Sequence, residues 1–261
     1  MNRIQKCFDG LRASQGKALV CFLTCGDPDL DTTVDLVKSV ADAGADIVEL
    51  GVPFSDPLAD GPSIQASSFR ALRAGASVPK VLDCVAAIRQ ASDVPLVLMT
   101  YYNPVQKYGV DRFATDAARA GADGVIMTDL PPEEGADWKR AADAATLATI
   151  MLVAPTSTKE RIERAANMAS GFIYCVSRTG VTGARNEIPA DLRDLVVQIR
   201  AATDLPVVVG FGISRAEHVR QVWEFADGAV VGSALVDIVA EHGGSGDVVR
   251  RAAMFVESLR R

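Results

Sequence analysis

The chain has 261 residues, with 27 Lys or Arg against 33 Asp or Glu and a formal charge of −6. That balance argues against nucleic acid or an anionic membrane surface as the main partner, because either needs a basic face. Any phosphorylated ligand would have to be held locally. Hydrophobic residues make up 49% and aromatics only 6%, enough for a sizeable core packed by Ala, Val, Leu and Ile.

In chain order, the first segment, IQKCFDGLRA (4–13), reads as an added helix able to cover one end of the fold. No secretory apolar stretch opens the chain and no apolar run approaches the roughly 20 residues of a membrane span, so a soluble protein is expected. The five cysteines, Cys7, Cys21, Cys25, Cys84 and Cys175, are odd in number and scattered through mostly apolar strings, which suits reduced core thiols and a cytoplasmic protein better than a disulfide framework.

A phrase then recurs: ADAGADIVELG (41–51), ARAGADGVIMTD (118–129) and, more loosely, EFADGAVVGS (224–233). Each reads as a helix ending on a Gly with left-handed torsions, a turn through Ala-Asp, and an apolar strand. Further strand-like runs are ALVCFLT (18–24), VPLVLMT (94–100), ATIMLVA (148–154), GFIYCVS (171–177) and LPVVVGFG (205–212). Helix-length stretches such as 29–44 and 78–92 separate successive strands, the crossover length that parallel pairing requires. Eight such units, with no linker between them, predict an α/β fold: a closed (β/α)₈ TIM barrel over 1–261, one domain with an extra N-terminal helix. An amphipathic helix, VVRRAAMFVESLRR (248–261), closes the chain.

Working residues of such barrels lie where strands end. After the second strand comes ELGVPFSDPLADGPSIQ (49–65). Alternation along a strand puts Ile47 and Glu49 on one side and Val48 and Leu50 on the other. With Val48 and Leu50 against the outer helices, Glu49 points into the barrel mouth, where desolvation raises its pKa and suits it to proton transfer; a Glu satisfied by loop amides is the alternative. Asp60, before Gly, suits a turn as well as catalysis, and Asp56 suits a turn or surface contact.

Two late strands, VVVGFGIS (207–214) and AVVGSALV (229–236), run into Gly-containing helix starts. Both suit phosphate, since glycine lets N–H groups approach an anion and the helix dipole favours it, although tight turns would use the same residues. The loop SRTGVTGARNEIP (177–189) reads as a lid or as a long surface loop. Tyr174, on the same face as Phe172 and Val176, is either a core aromatic or a phenol over a substrate. The two histidines, His218 and His242, belong to no metal-ligand pattern. None of the seven lysines ends an inferred strand, against a Schiff-base aldolase.

The strings ELGVPFSDPLADGPSIQ, YYNP, SRTGVTGAR, VVVGFGIS and GAVVGSALV together closely resemble the α subunit of tryptophan synthase, across nearly the whole chain. The resemblance implies a metal-free retro-aldol cleavage of indole-3-glycerol phosphate to indole and glyceraldehyde 3-phosphate. Indole would pass to a pyridoxal-phosphate β subunit in an α₂β₂ tetramer, with no cofactor in this chain. It implies Glu49 and Asp60 as the catalytic carboxylates, Glu49 moving protons and Asp60 holding the ring N–H. Tyr174 and Thr182 would contact the substrate or orient Asp60. Phe22, Tyr101, Ile126 and Phe211 would line the indole pocket, and Gly183, Gly212, Gly232 and Ser233 would bind phosphate. Thr128 places a hydroxyl where many members of the family are apolar. Loops around Pro53 to Pro57 and Asn103 to Pro104 would face the β subunit. A sugar-phosphate isomerase or epimerase, which the Gly turns alone permit, and a non-catalytic activator of the β subunit are the competing expectations.

Overall fold

A computed structural model describes residues 2–176, 190–210 and 212–261. Eight parallel strands close into a barrel in sequence order: β1 Ala18–Thr24, β2 Ile47–Gly51, β3 Leu96–Thr100, β4 Gly124–Met127, β5 Ala148–Val153, β6 Ile173–Val176, β7 Val207–Gly210 and β8 Gly228–Val231. Each coincides with a strand read from the apolar runs. Helices fill the crossovers, including Leu30–Asp42 between β1 and β2 and Val78–Ala91 before β3.

Alternation divides the apolar residues into two cores. Leu19, Cys21, Val48, Leu50, Leu96 and Leu98 pack outward against the helices. Val20, Ile47, Val97, Ile126, Ile150, Phe172, Val208 and Val230 fill the barrel, joined by Ile4 and Phe8 of the N-terminal helix Arg3–Ala13. That helix therefore plugs the end where the strands begin. Gly124 makes room for it: a Cβ there would stand 2.6 Å from Ile150 Cδ1 and 3.1 Å from Ile4 Cδ1. The five cysteines all carry free thiols, four of them buried.

The repeated Ala-Asp phrase has a structural meaning beyond its turn. Asp46 accepts the Leu19 N–H at 2.7 Å, Asp123 the Leu96 N–H at 2.9 Å, and Asp227 the Val207 N–H at 3.0 Å. In each case the Asp N–H returns a bond to the carbonyl of that same residue. The carboxylate thus ties the start of one strand to the start of the next. Before β6 the same bonds are made by Ser170, whose Oγ accepts the Thr149 N–H at 3.0 Å. The motif therefore precedes every even strand, and Ser hides its fourth copy from the sequence. Gly44 and Gly121 adopt the expected left-handed φ of 112° and 105°. In the third phrase the expectation fails, because Gly228 is the first residue of β8, placed there because a Cβ would lie 2.9 Å from Ala18 Cβ.

Candidate active site

β2 delivers Glu49 to the mouth of the barrel. Its neighbours in register are Phe22 of β1 and Val97 of β3, and it shares the inner side with Ile47 as alternation requires. The side chain is fully buried, and among the described residues neither carboxylate oxygen has a hydrogen-bond partner. Burial without compensation pushes its pKa up to about 8, because an ionised carboxylate there loses hydration and gains nothing in return. The alternative of a Glu satisfied by loop amides finds no such bond among the described residues.

Asp60 reaches the same end of the barrel on the loop between β2 and the helix Pro62–Arg73. Three contacts fix that loop. Gln65 Nε2 donates to the Asp60 carbonyl at 2.9 Å, the Ala59 N–H donates to the Tyr101 phenol at 2.9 Å, and the Phe54 and Tyr101 rings lie 5.2 Å apart. Burial raises the Asp60 carboxyl to about 6, with the hydrogen bond from Tyr101 pulling it back down. Two carboxyls whose surroundings separate their acidities near neutral pH can act as an acid and a carboxylate at once.

Tyr101, just past β3, and Phe22 are both buried. Tyr174 on β6 faces inward, half-buried over the inner core, and its phenol is held well above its ordinary pKa by burial and by the nearby Glu49. Ile126 is wholly buried within the barrel packing. Met99 of β3 and Leu152 of β5 stand beside it as half-buried apolar side chains. Sequence reasoning passed over both, although continuing the alternation from Val97 and Ile150 would have found them.

Gly232 caps the helix Ser233–His242 directly after β8, and the first N–H groups of that helix have no partner within it. After β7 the arrangement differs from expectation. The next helix begins only at Ala216, and Gly212 lies in the intervening loop with φ of 81° and open space where a Cβ would stand. Arg215, at that helix's N-cap, makes no side-chain cap bond, so no local signal marked the start. Asn103 and Pro104 likewise lie not in a loop but in the first turn of the helix Tyr102–Tyr108, whose Tyr102 N–H donates to Asp129 at 2.7 Å. Thr182, Gly183, Phe211 and the 177–189 segment lie outside the described residues. Among the described residues no three His, Cys, Asp or Glu side chains could share a metal ion, and no helix is long and apolar enough to cross a membrane.

Fold and site together define a (β/α)₈ barrel with two buried carboxyls, Glu49 on β2 and Asp60 on the loop that follows it, at the mouth of the barrel. The chain belongs to the tryptophan synthase alpha chain family, lyases of tryptophan synthesis, whose model matches residues 8–260. It is 52% identical to the tryptophan synthase alpha chain of Geobacter sulfurreducens over 260 residues, covering 100% of this chain and 98% of the relative. Among solved structures, tryptophan synthase subunit alpha from Legionella pneumophila superposes with a TM-score of 0.92 at 39% identity, over 100% of this chain and 97% of that one. The tryptophan synthase complex from Pyrococcus furiosus matches with a TM-score of 0.86 at 38% identity, over 93% and 97% respectively.

Proposed function

We propose that this chain cleaves indole-3-glycerol phosphate to indole and glyceraldehyde 3-phosphate, with Glu49 as the proton-transfer residue. The observation that carries this reading is the buried Glu49 carboxyl, without a hydrogen-bond partner among the described residues and with its pKa raised to about 8. At neutral pH such a group enters the reaction protonated. It delivers that proton to indole C3, making the ring an electron acceptor with positive charge at nitrogen. Asp60, with its pKa near 6, is then ionised and stabilises that charge through the ring N–H. Glu49, now a carboxylate, takes the proton of the adjacent glycerol hydroxyl. The carbon–carbon bond breaks, its electron pair restores the indole, and the hydroxyl carbon becomes the aldehyde. Glu49 ends protonated, as it began.

In this reading Phe22, Tyr101, Ile126, Tyr174 and Phe211 surround the indole, with Met99 and Leu152 completing the apolar wall. Gly212, Gly232, Ser233 and Gly183 hold the phosphate through backbone N–H groups and the dipole of the Ser233–His242 helix, and Thr182 orients Asp60. The chain needs no metal or cofactor of its own. It works in the cytoplasm as one barrel domain and passes indole to a pyridoxal-phosphate β subunit in an α₂β₂ assembly, a partnership supported by the likeness to the Pyrococcus furiosus complex. Incubating the purified chain with indole-3-glycerol phosphate, with and without a β subunit, and assaying released indole tests the reading. Release of indole is expected; no turnover under either condition overturns it.

A further inference from the structure

Two helices fill the crossover from β2 to β3, Pro62–Arg73 and Val78–Ala91. The second packs between Leu30–Asp42 and Val110–Ala120, where a barrel helix belongs, whereas the first packs on β1 and on the helix Ser233–His242. The Asp60 loop therefore leaves β2 and is received by a helix seated on the neighbouring strand.

Three contacts make that seat. The Thr24 hydroxyl at the end of β1 lies 2.6 Å from the Ser67 hydroxyl, and both residues are buried. Ser67 gives its proton to the Ile64 carbonyl at 2.8 Å, so Thr24 is the donor between the two hydroxyls. Gly26, just past β1, comes so near the helix that a Cβ there would stand 2.9 Å from Ala76 Cβ and 3.5 Å from Ala71 Cβ. Asp27 then accepts from Arg70 on both oxygens, from Nε at 2.9 Å and from Nη2 at 2.7 Å. Asp27 is only 3% exposed, so its carboxylate depends on that cation. A two-pronged pair fixes orientation as well as distance.

At its other end the same helix holds Asp60. The Gln65 side chain, in the first turns, donates to the Asp60 carbonyl at 2.9 Å and to the Pro57 carbonyl at 3.4 Å, while its N–H donates to the Gly61 carbonyl at 2.9 Å. Clamping the helix at Arg70 therefore sets where Gln65 stands, and with it the Asp60 backbone. Tyr101 holds the loop from the opposite side, through the Ala59 N–H.

We propose that Asp27 is a positioning residue for Asp60: its two-pronged bond to Arg70 clamps the helix Pro62–Arg73 onto the end of β1, and that helix carries the Asp60 loop. The carboxyl on the β2 loop is thus aimed from β1, the strand that also brings Phe22 beside Glu49. The inference rests on the reading of Asp60 as a working carboxylate, and its test separates the two.

The test uses the full chain and Asp27→Asn, which keeps the shape but removes the charge and one acceptor. Without substrate, hydrogen exchange is followed at the Asp60 N–H, which donates to the Pro57 carbonyl at 3.1 Å, and at the Asp123 N–H, which donates to the Leu96 carbonyl at 2.8 Å at the far end of the barrel. Exchange at Asp60 is expected to quicken by about 10-fold, the worth of one charge-assisted hydrogen bond, and by clearly more than exchange at Asp123. With indole-3-glycerol phosphate, kcat for indole release should fall by about 10-fold with KM nearly unchanged, because Asp60 acts on charge that develops in the transition state. Arg70→Lys keeps the charge and loses the fork, so it should show smaller changes of the same kind; it also serves if Asp27→Asn does not fold. An unmoved Asp60 exchange rate, equal quickening at Asp60 and Asp123, or an unchanged kcat overturns the proposal. If the unsubstituted chain releases no indole, the reaction is wrong, and the exchange rates still decide whether Asp27 holds the Asp60 loop.

Discussion

Gly210 on β7 makes room for Tyr174 on β6: a Cβ at position 210 would stand 2.7 Å from the Tyr174 Oη and 3.2 Å from two ring carbons. The two residues sit on paired strands, with Tyr174 opposite Val208 and Val176 opposite Gly210. The glycine thus sets where the phenol rests above the inner core.

Gly210→Ala is therefore expected to displace the phenol, with an overpacking cost of about 1–3 kcal/mol and a loss of cleavage activity. Tyr174→Phe removes the nearest clashing atom, so the double variant should recover part of both losses. Thermal midpoints and indole release in the four proteins check this. Strictly additive losses would mean that the two positions do not interact.

The opposite end of the barrel should behave independently of the chemistry. Asp123 is buried, and its carboxylate accepts from Leu96 N–H at 2.9 Å, from Arg89 at 3.0 Å and from Arg3 at 3.2 Å. Removing it leaves the mostly buried Arg89 without its counter-charge, so Asp123→Ala should lower stability by about 3–5 kcal/mol. At temperatures where the variant stays folded, the KM for indole-3-glycerol phosphate should be unchanged. A variant of full thermal stability would contradict the account.

Glu49 should cost the fold stability as pH rises. Its carboxyl holds its proton to about 8 in the folded chain against an ordinary value of 4.5. Between those values the folded state binds the extra proton, so stability falls through this window and levels off above it. The full loss is as much as ~5 kcal/mol. Glu49→Gln should thus be more stable than the unsubstituted chain at pH 8 to 9 and nearly equal to it below pH 4.5. Parallel stability curves for the two proteins would show that Glu49 is not buried without compensation.

Much of this was legible in the sequence, for identifiable reasons. The eight strands could be read because each is a short apolar run bounded by a helical crossover. Glu49 could be placed because strand alternation is a local rule. Asp60 could not be placed that way: its own neighbours describe a turn, while its pKa is raised by burial and its loop is held by Tyr101, 41 residues on, through the Ala59 N–H. The helix start after β7 was placed too early because the length of loop before Ala216 leaves no mark in composition. Ser170 was missed for a different reason, since a hydroxyl does the work that a carboxylate does at the other three even strands.

In the proposed reaction Glu49 enters as an acid while Asp60 acts as a carboxylate. Glu49→Gln keeps the shape of the side chain and loses the proton transfer, so cleavage should fall by about 10²-fold or more with substrate affinity nearly unchanged. The most direct measurement is kcat/KM for indole release from indole-3-glycerol phosphate as a function of pH. A bell is expected, rising as Asp60 ionises near 6 and falling as Glu49 loses its proton near 8. A rate that stays level or climbs from pH 7 to pH 10 would contradict it.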